Sequence, residues 1–436
     1  MTLFGSSGIR GIVNRRITPE FAVRIGSAIG TLHEKTIIGY DTRTSNIMMS
    51  SAIISGILSA GADVYNAGIL TTPALAYATR RFDCGIMVTA SHNPPQYNGI
   101  KLWNPTGMAF TRNQEEQIET MLEKGNVRKA EWDEIGGLFP YENANGEHME
   151  FIKKRVGRLS LKVVVDCGSG PASFSTPYLF REMGCRVYTI NSHPDGHFPG
   201  RDPEPVEENL GALKSAVLHH EADLGIAHDG DADRMVAVDD MGNYVGGDAL
   251  LLLFTKYVAK KRIVVPVDSS MALEEYGKEV IRTRIGDAFI SQEMHRQNAD
   301  FGGEPSGTWI FSDGTLCPDG PYAAAILAKM IEKKGSLSQM IGGLKRYPII
   351  RGKIDYDPCK RDAIQNRIWK TLESEKGADV SKIDGIRLDY GDSWAVVRFS
   401  GTEPKIRITV EAKNRRTLAA LYKKMQKIVL LCTHSR

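Results

Sequence analysis

Short apolar runs rich in β-branched residues recur along the first three quarters of the chain, and each is followed by a helix-like stretch. Three of these runs end in an aspartate, at residues 36–41, 163–166 and 263–268. Runs of this kind are typical of strands that are buried on both faces of an α/β sheet. The helix-like stretches end at glycines, which commonly terminate helices, and these are Gly61, Gly184 and Gly277.

The same order of elements continues after each glycine. A second strand is predicted at 63–65, 186–190 and 279–281, and a third at 82–88, 222–227 and 299–303. Each third strand leads directly into a polar loop. We therefore predict three related βαβ units, although strand, glycine cap and strand is also a common arrangement in unrelated units. Ligands bind beyond the carboxyl ends of strands in such sheets, so these loops are candidate sites.

The last part of the chain has a different pattern. Strands are predicted at 385–390, 394–399 and 405–411, and the Gly391-Asp392 pair predicts a hairpin between the first two. A helix is predicted at 417–431 from the spacing of its apolar residues. The predicted fold class is α/β: three related mixed-sheet domains and a smaller α+β domain around a central cleft. We predict domains at 1–153, 154–251, 252–347 and 348–436.

Composition and charge exclude several classes of protein. The 436 residues include 55 Lys+Arg and 52 Asp+Glu, a net charge of +3, which argues against a dedicated nucleic-acid binder. The six cysteines form no CxxC pair, so neither a zinc ribbon nor a disulfide framework is expected. No secretory signal is visible, and no apolar stretch approaches the roughly 20 residues of a membrane span. We therefore expect a cytoplasmic protein.

The serine loop, residues 89–95, follows the third strand of the first unit and contains Ser91 and His92. We expect Ser91 to lie on an exposed strand end. A serine there can act as a nucleophile or carry phosphate if its neighbours activate it and neutralise the charge. The alternative is an ordinary turn, because Ser, Asn and Pro are common turn residues.

The metal loop, residues 229–234, presents carboxylates at alternate positions in Asp229, Asp231 and Asp233. Three carboxylates this close repel one another unless a cation lies among them. A set of oxygen donors favours a hard ion such as Mg²⁺ over zinc. The spacing also begins like an EF-hand, but Asp240 stands where the twelfth-position glutamate would be. A solvated acidic turn is the alternative.

Two further loops offer groups that suit a phosphorylated sugar. The sugar loop, residues 302–307, has a carboxylate and a hydroxyl on a glycine-rich turn, which suit hydrogen bonds to vicinal hydroxyls; equally, it could have no function. The phosphate loop, residues 398–404, combines hydroxyls, a glycine N–H and flanking arginines in a candidate phosphate clamp. A tight hairpin with flanking cations is the alternative. Together the four loops predict a cleft for a phosphorylated polyol, with phosphoryl transfer at one end.

The motifs in these loops read TASHNP at 89–94, DGDADR at 229–234, GEPSG at 303–307 and RFSGTEP at 398–404. They resemble, in order, the four signature loops of the α-D-phosphohexomutase superfamily, and the resemblance covers essentially the whole chain. It implies three related α/β domains followed by a smaller fourth one. It also implies a mutase that moves phosphate between C6 and C1 of a hexose through a hexose 1,6-bisphosphate.

The resemblance also implies roles for individual residues. Ser91 would carry the phosphate, and Asp229, Asp231 and Asp233 would hold Mg²⁺ with an oxygen of that phosphate. Arg10, His92 and Lys101 would assist catalysis, with Lys101 transferring a proton, for which it would need a lowered pKa. The residues implied in substrate binding are Arg234, Arg284, Glu304, Ser306, Arg398, Ser400, Gly401, Thr402 and Arg407.

The substrate and the assembly stay open. The SGTEP segment resembles phosphoglucosamine mutases more than phosphomannomutases, so we expect glucosamine phosphate, with glucose or mannose phosphate as the alternative. Thr308 stands where many members of the superfamily have a histidine. A serine-nucleophile phosphatase and a non-catalytic phosphosugar-binding protein are the rival functions, and a homodimer is the assembly that we consider.

Overall fold

The computed structural model describes residues 3–5, 8–401 and 403–434. It contains four sheets, one for each predicted domain. None of the helices in these residues is long and apolar enough to cross a bilayer.

The first domain is built on a six-stranded sheet. Its strands are β1 (Ile9–Ile12), β2 (Lys35–Tyr40), β3 (Asp63–Ile69), β4 (Cys84–Val88), β5 (Tyr97–Trp103) and β6 (Leu138–Pro140). They lie in the order β1-β5-β4-β2-β3-β6. Its helices are α1 (Pro19–Leu32), α2 (Asn46–Ser59), α3 (Thr72–Thr79) and α4 (Arg112–Lys124), and α5 (Ala144–Val156) leads into the second domain.

The second and third domains have five and four strands. The second contains β7 (Lys162–Asp166), β8 (Arg186–Ile190), β9 (Leu224–His228), β10 (Met235–Val238) and β11 (Tyr244–Val245), with α6 (Thr176–Met183) and α7 (Gly211–His220). Helix α8 (Gly247–Tyr257) leads into the third. The third contains β12 (Arg262–Pro266), β13 (Glu279–Thr283), β14 (Phe301–Glu304) and β15 (Thr308–Phe311), with α9 (Asp287–Gln297), α10 (Gly320–Lys334) and α11 (Leu337–Gly342).

The three units share one topology, which confirms the predicted repeat. In each, the first strand lies between the second and the third and runs parallel to both: β2 between β3 and β4, β7 between β8 and β9, and β12 between β13 and β14. An antiparallel strand then follows the third strand, namely β5, β10 and β15. In the third unit, a 3₁₀ helix (Met271–Tyr276) takes the place of the first connecting α-helix.

Three aspartates, one in each unit, make the same hydrogen bond. Asp83, Asp223 and Asp300 each precede a third strand and accept a hydrogen bond from the first backbone N–H of the middle strand. The distances are 2.9, 2.7 and 2.9 Å. Each aspartate thus ties the two strands together at their amino ends, which aligns their carboxyl ends and the loops that follow.

The fourth domain is antiparallel, as predicted. It contains β16 (Ile349–Asp355), β17 (Asp379–Ser381), β18 (Ile386–Asp389), β19 (Ser393–Phe399), β20 (Lys405–Ala412), α12 (Arg361–Glu373) and α13 (Arg415–His434). The strand order is β16-β20-β19-β18-β17. The sequence did not predict β16, β17 or α12. Both strands lie at sheet edges and neither has a fully buried residue. Neither therefore needs the long apolar run by which a strand is recognised in the sequence.

The apolar cores show how the domains are joined. One cluster continues from the second domain into the third and includes Val163, Phe254 and Trp309, whereas the first and fourth domains have clusters of their own. The fourth domain is tied to α8 by Arg351, whose guanidinium makes two 2.8 Å hydrogen bonds to Asp248. The predicted boundaries at 153/154 and 251/252 fall within α5 and α8, and the exact division stays a prediction.

Candidate active site

The serine loop leaves the end of β4 and turns sharply. Ser91 has a φ of 50°, and its backbone N–H donates a 2.9 Å hydrogen bond to the hydroxyl of Thr89. The Thr89 hydroxyl in turn donates to Asp41, at 2.6 Å. The expectation that Ser91 is exposed was wrong, since only 1% of the residue is accessible. The metal loop of the second domain covers it.

The metal loop connects β9 to β10 and meets the serine loop directly. The Ser91 hydroxyl donates a 2.6 Å hydrogen bond to Oδ2 of Asp229. Gly230 makes this approach possible, because a Cβ there would lie only 2.4 Å from the carbonyl oxygen of Ser91. The two loops come from different sheets and nevertheless form one site.

The three carboxylates of the metal loop form a cluster of potential metal ligands. Oxygens of Asp229, Asp231 and Asp233 lie within 4.8 Å of one another, and all three residues are buried. Burial and the neighbouring carboxylates of Asp233 and Asp231 raise the pKa of Asp229 well above its ordinary value. Crowding negative charge in this way is costly unless a cation compensates it.

The donor set of this cluster fits a hard divalent cation. All the donors are oxygens, which is the chemistry that Mg²⁺ and Ca²⁺ prefer. Within the described part of the chain, Oδ1 of Asp231 is buried and has no hydrogen-bond partner. An unpartnered buried carboxylate oxygen of this kind is a natural ligand.

Two residues of the first domain bind the carboxylates of the metal loop. Lys101, on β5, lies 2.8 Å from Oδ2 of Asp231 and 2.6 Å from Oδ2 of Asp233. The Thr72 hydroxyl donates a 2.7 Å hydrogen bond to Asp231. Burial alone would lower the pKa of Lys101, but Asp231 and Asp233 raise it above its ordinary value. This arrangement does not give the lowered pKa expected for a lysine that acts as a base.

Three further basic residues, Arg10, His92 and Arg234, lie next to the serine loop and the metal loop. Arg10, on β1, donates a 3.1 Å hydrogen bond to Asn93 of the serine loop. His92 has Nδ1 3.5 Å from the Ser91 hydroxyl. Burial and the charges of Arg234 and Arg10 lower the pKa of His92 to about 2, so its imidazole is neutral. The backbone N–H of Arg234 donates to Asp229 at 3.1 Å.

The sugar loop joins the metal loop at the border of the second and third domains. Glu304 ends β14 and accepts hydrogen bonds from the backbone N–H of Gly286, at 2.6 Å, and from the Ser306 hydroxyl, at 3.0 Å. Burial, followed by the charge of Asp287, raises the pKa of Glu304 to about 7. Thr308 lies with its hydroxyl 3.3 Å from that of Ser306, and it pairs through its backbone with Arg234.

The phosphate loop lies between β19 and β20. Arg398 and Arg407 are directly opposite each other on these strands, so two guanidinium groups share one face of the sheet. Ser400 is buried and closes the loop by donating its backbone N–H to Lys405, at 2.8 Å. Gly401 is exposed, and Thr402 lies outside the described residues.

Asp384 links the phosphate loop to the sugar loop. Its carboxylate lies 3.6 Å from the Arg398 guanidinium, and it accepts a 3.1 Å hydrogen bond from the backbone N–H of Ile285. Ile285 is next to Gly286, which holds Glu304. Arg284 is exposed and lies over the ring of Phe289, with 4.3 Å from its guanidinium carbon to the ring centroid.

The structure thus brings most of the predicted residues together, but in two groups. The first group is in direct contact around the serine and metal loops: Ser91, His92, Arg10, Lys101, Asp229, Asp231, Asp233 and Arg234. Glu304 and Ser306 adjoin it through Thr308. The second group, Arg398, Ser400, Gly401 and Arg407, lies on the fourth domain, and Asp384 links it to the backbone beside the sugar loop. The sequence did not single out Thr72, Arg43 or Asp384, because nothing in their local pattern shows a partner more than 50 residues away.

Comparison with known proteins covers nearly the whole chain. Models of the phosphoglucomutase/phosphomannomutase family match as alpha/beta/alpha domains I, II and III at residues 1–129, 141–242 and 246–347. The model of the C-terminal domain of that family matches residues 359–428. The matches follow the order of the four sheets.

Individual proteins match over similar lengths. A Methanocella arvoryzae protein named "Probable phosphoglucosamine mutase" is 50% identical over 437 residues, covering 100% of this chain and 99% of that protein. A Methanococcoides burtonii protein of the same name is 48% identical, covering 95% of this chain and 96% of that protein. A crystal structure of a phosphoglucomutase/phosphomannomutase family protein from Burkholderia thailandensis superposes with a TM-score of 0.88. It is 26% identical and covers 100% of this chain and 98% of that chain.

Proposed function

Because the chain belongs to the phosphoglucomutase/phosphomannomutase family, we propose that it interconverts glucosamine 6-phosphate and glucosamine 1-phosphate. The observation that carries this proposal is the contact between Ser91 and Asp229. A buried serine hydroxyl lies 2.6 Å from one member of a carboxylate trio that is suited to a divalent cation. The names of the relatives that cover this chain support the choice of an amino sugar.

The proposed reaction has two phosphoryl transfers. Ser91 carries a phosphoryl group, and the free hydroxyl of the sugar attacks its phosphorus. The bond from phosphorus to the serine oxygen breaks and a new bond to the sugar oxygen forms, while the hydroxyl proton of the sugar passes to the departing serine oxygen. Lys101, which Asp231 and Asp233 keep protonated, adds positive charge beside this exchange instead of accepting the proton. The resulting hexosamine 1,6-bisphosphate turns round in the cleft. Its other phosphoryl group then returns to Ser91, which leaves the isomeric monophosphate.

The residues of the first three domains serve the transferring group in this proposal. Asp229, Asp231 and Asp233 would hold Mg²⁺, which when bound would neutralise charge on the phosphoryl oxygens. Arg10 and Arg234 add positive charge on the same side. Because the transition state is loose and its charge is spread over the equatorial oxygens, positioning and electrostatics provide most of the catalysis. Neutral His92 can accept or donate a hydrogen bond beside Ser91.

The residues of the third and fourth domains hold the part of the substrate that does not react. Ionised Glu304, with Ser306, would accept and donate hydrogen bonds at the sugar hydroxyls. Arg284, Arg398 and Arg407 would bind the other phosphate, together with the loop residues Ser400, Gly401 and Thr402. Since either phosphate of the bisphosphate must fit this clamp, fork-shaped guanidinium donors suit the task.

The test combines a chemical and a kinetic measurement. Mass spectrometry of the purified protein should find a phosphoryl group on the peptide that contains Ser91. Turnover should then be compared for the 6-phosphates of glucosamine, glucose and mannose, with Mg²⁺ and a trace of bisphosphate. Faster turnover of glucosamine phosphate supports the proposal, whereas equal rates on all three contradict a specific phosphoglucosamine mutase. Stoichiometric release of inorganic phosphate would indicate a phosphatase instead.

We also propose a location and an assembly for the protein. The cytoplasm is the proposed location, and the six cysteines are all unpaired in the structure, as a reducing compartment would keep them. A homodimer is a prediction that sedimentation velocity can test.

A further inference from the structure

Two buried aspartate–arginine pairs are built on aspartates at equivalent places in the first two domains, although the arginines come from different loops. Asp41 directly follows β2, and its Oδ2 lies 3.1 Å from Nε of Arg43. Asp166 ends β7, and its Oδ2 lies 2.8 Å from Nε of Arg201. Side-chain exposure is 0% for both members of the first pair, and 3% for Arg201 and 1% for Asp166 in the second. Neither arginine is therefore available to a substrate, although both are next to the loops that carry the chemistry.

The guanidinium of Arg43 binds the serine loop through its backbone. Nη1 donates to the carbonyl oxygens of Pro94 and Tyr97, at 2.7 and 2.9 Å. Nη2 donates to the carbonyl oxygens of Ser91 and Asn93, at 2.8 and 2.6 Å. With Asp41 on Nε, all five N–H groups of this side chain have an acceptor. A single side chain thus binds three carbonyl groups of the serine loop, including that of Ser91, and the first carbonyl group of β5.

The guanidinium of Arg201 binds the metal loop at its start. Nη2 donates a 2.5 Å hydrogen bond to the carbonyl oxygen of His228, the residue directly before Asp229. Nη1 donates to the carbonyl oxygen of Asp202, at 2.9 Å. Gly168, with a φ of 56°, leaves room for this side chain, because a Cβ there would lie 2.8 Å from Nη2. In each of the two domains, a buried arginine paired with the aspartate at the end of the middle strand thus binds the backbone next to the chemistry-bearing loop.

We propose that Arg43 and Arg201 are positioning residues that set the two halves of the active site separately. Arg43 holds Ser91 in its left-handed conformation, so that its hydroxyl points at Asp229. Arg201 anchors the backbone before Asp229, so that the carboxylates converge on one cation. The inference rests on the proposed function, since it assigns each arginine to a step of that reaction.

Conservative substitutions of Arg43 and Arg201 should have different effects. Arg43→Lys keeps a cation beside Asp41 but loses the planar fork, and it should slow phosphoryl transfer from Ser91 about 100-fold, the scale of a 1 Å misplacement. Its affinity for Mg²⁺ should stay within about twofold of wild type. Arg201→Lys should weaken Mg²⁺ binding about 10- to 100-fold, as loss of a group that orients metal ligands does.

The experiment measures both quantities on the full chain. Single-turnover quench of the phosphorylated protein with glucosamine 6-phosphate at saturating Mg²⁺ gives the transfer rate. Titration calorimetry with Mg²⁺ alone, without sugar, gives the affinity. Arg296→Lys is the matched control, because Arg296 pairs with Glu293 on the surface with 69% of its side chain exposed. This variant should leave both quantities unchanged.

Equal loss of transfer rate and Mg²⁺ affinity in both variants would overturn the proposal, because it would indicate general destabilisation. Wild-type values in both would overturn it as well. If Arg43→Lys fails to fold, Arg43→Gly is used in its place. Added guanidinium should then restore part of the transfer rate that this variant loses. If the folded variant gains no transfer rate with guanidinium, the inference is contradicted. A wild-type protein that binds Mg²⁺ but transfers no phosphoryl group would refute the proposed function, whereas the calorimetry would still test Arg201.

Discussion

The hydroxyl of Ser91 donates a 2.6 Å hydrogen bond to Oδ2 of Asp229, a residue of another domain. The bond joins the candidate nucleophile to the candidate metal ligands. In the proposed reaction, Asp229 and an oxygen of the phosphoryl group on Ser91 would hold the same cation.

Substitution of Asp229 tests that relationship. Asp229→Asn removes one negative charge from the trio while keeping its shape. We expect Mg²⁺ affinity, measured by calorimetry, to fall by more than the roughly 10- to 100-fold seen when an outer-shell partner is lost, and turnover to fall with it. Asp133→Asn, at an exposed position, is the control. Unchanged Mg²⁺ affinity in Asp229→Asn would show that the trio is not the metal site.

A glycine in the metal loop should be intolerant of even one methyl group. In Gly230→Ala, the new Cβ would lie 2.4 Å from the Ser91 carbonyl oxygen and would push the two loops apart. We expect turnover to fall about 100-fold, because displacement by about 1 Å is enough for such a loss. Gly211→Ala, at a position with no atom within 4 Å, should keep full turnover. Normal turnover in Gly230→Ala would mean that the contact of the two loops is not needed.

Glu304 should make substrate binding depend on pH. Its raised pKa, about 7, means that the carboxyl is increasingly protonated as the pH falls below 7 and ionised above it. Only the ionised form offers all its lone pairs to sugar hydroxyls, so KM should rise as the pH falls from 8 to 6. The substrate phosphate also titrates in this range, so Glu304→Gln is the reference. Glu304→Gln should have a higher KM than wild type at pH 8, and its KM should change less with pH. A dependence of KM on pH identical to that of wild type would contradict the proposed role of Glu304 in binding the sugar.

Asp384 should couple the phosphate clamp to the sugar loop. Asp384→Ala removes the carboxylate that lies beside Arg398 and that accepts the Ile285 N–H. We expect KM to rise about tenfold with a smaller change in kcat, because the lost contacts orient groups that bind rather than groups that react. Asp392→Ala removes an exposed ion pair with Lys413 and should leave KM unchanged. A fall in kcat alone would contradict this role.

The sequence determined the features that depend on local pattern. We predicted the middle strand of each unit, the glycine that ends the stretch after it, and the polar loop that follows the third strand. These features are visible in the sequence because a buried strand and a helix end are each determined by neighbouring residues. The aspartates that precede the third strands, such as Asp223, stand at corresponding positions in the three units, and their hydrogen bonds explain why they recur. The motifs within the loops identified the superfamily.

The tertiary structure decided what depends on distant neighbours. Ser91 is buried rather than exposed because the metal loop of the next domain covers it, and Lys101 has a raised pKa because Asp231 and Asp233 lie against it. Arg43 and Asp384 are ordinary charged residues in the sequence, and only the packing shows which carbonyl groups and cations they hold. Contacts across 50 to 140 residues follow from how the sheets are oriented, and a one-dimensional pattern contains no information about that orientation.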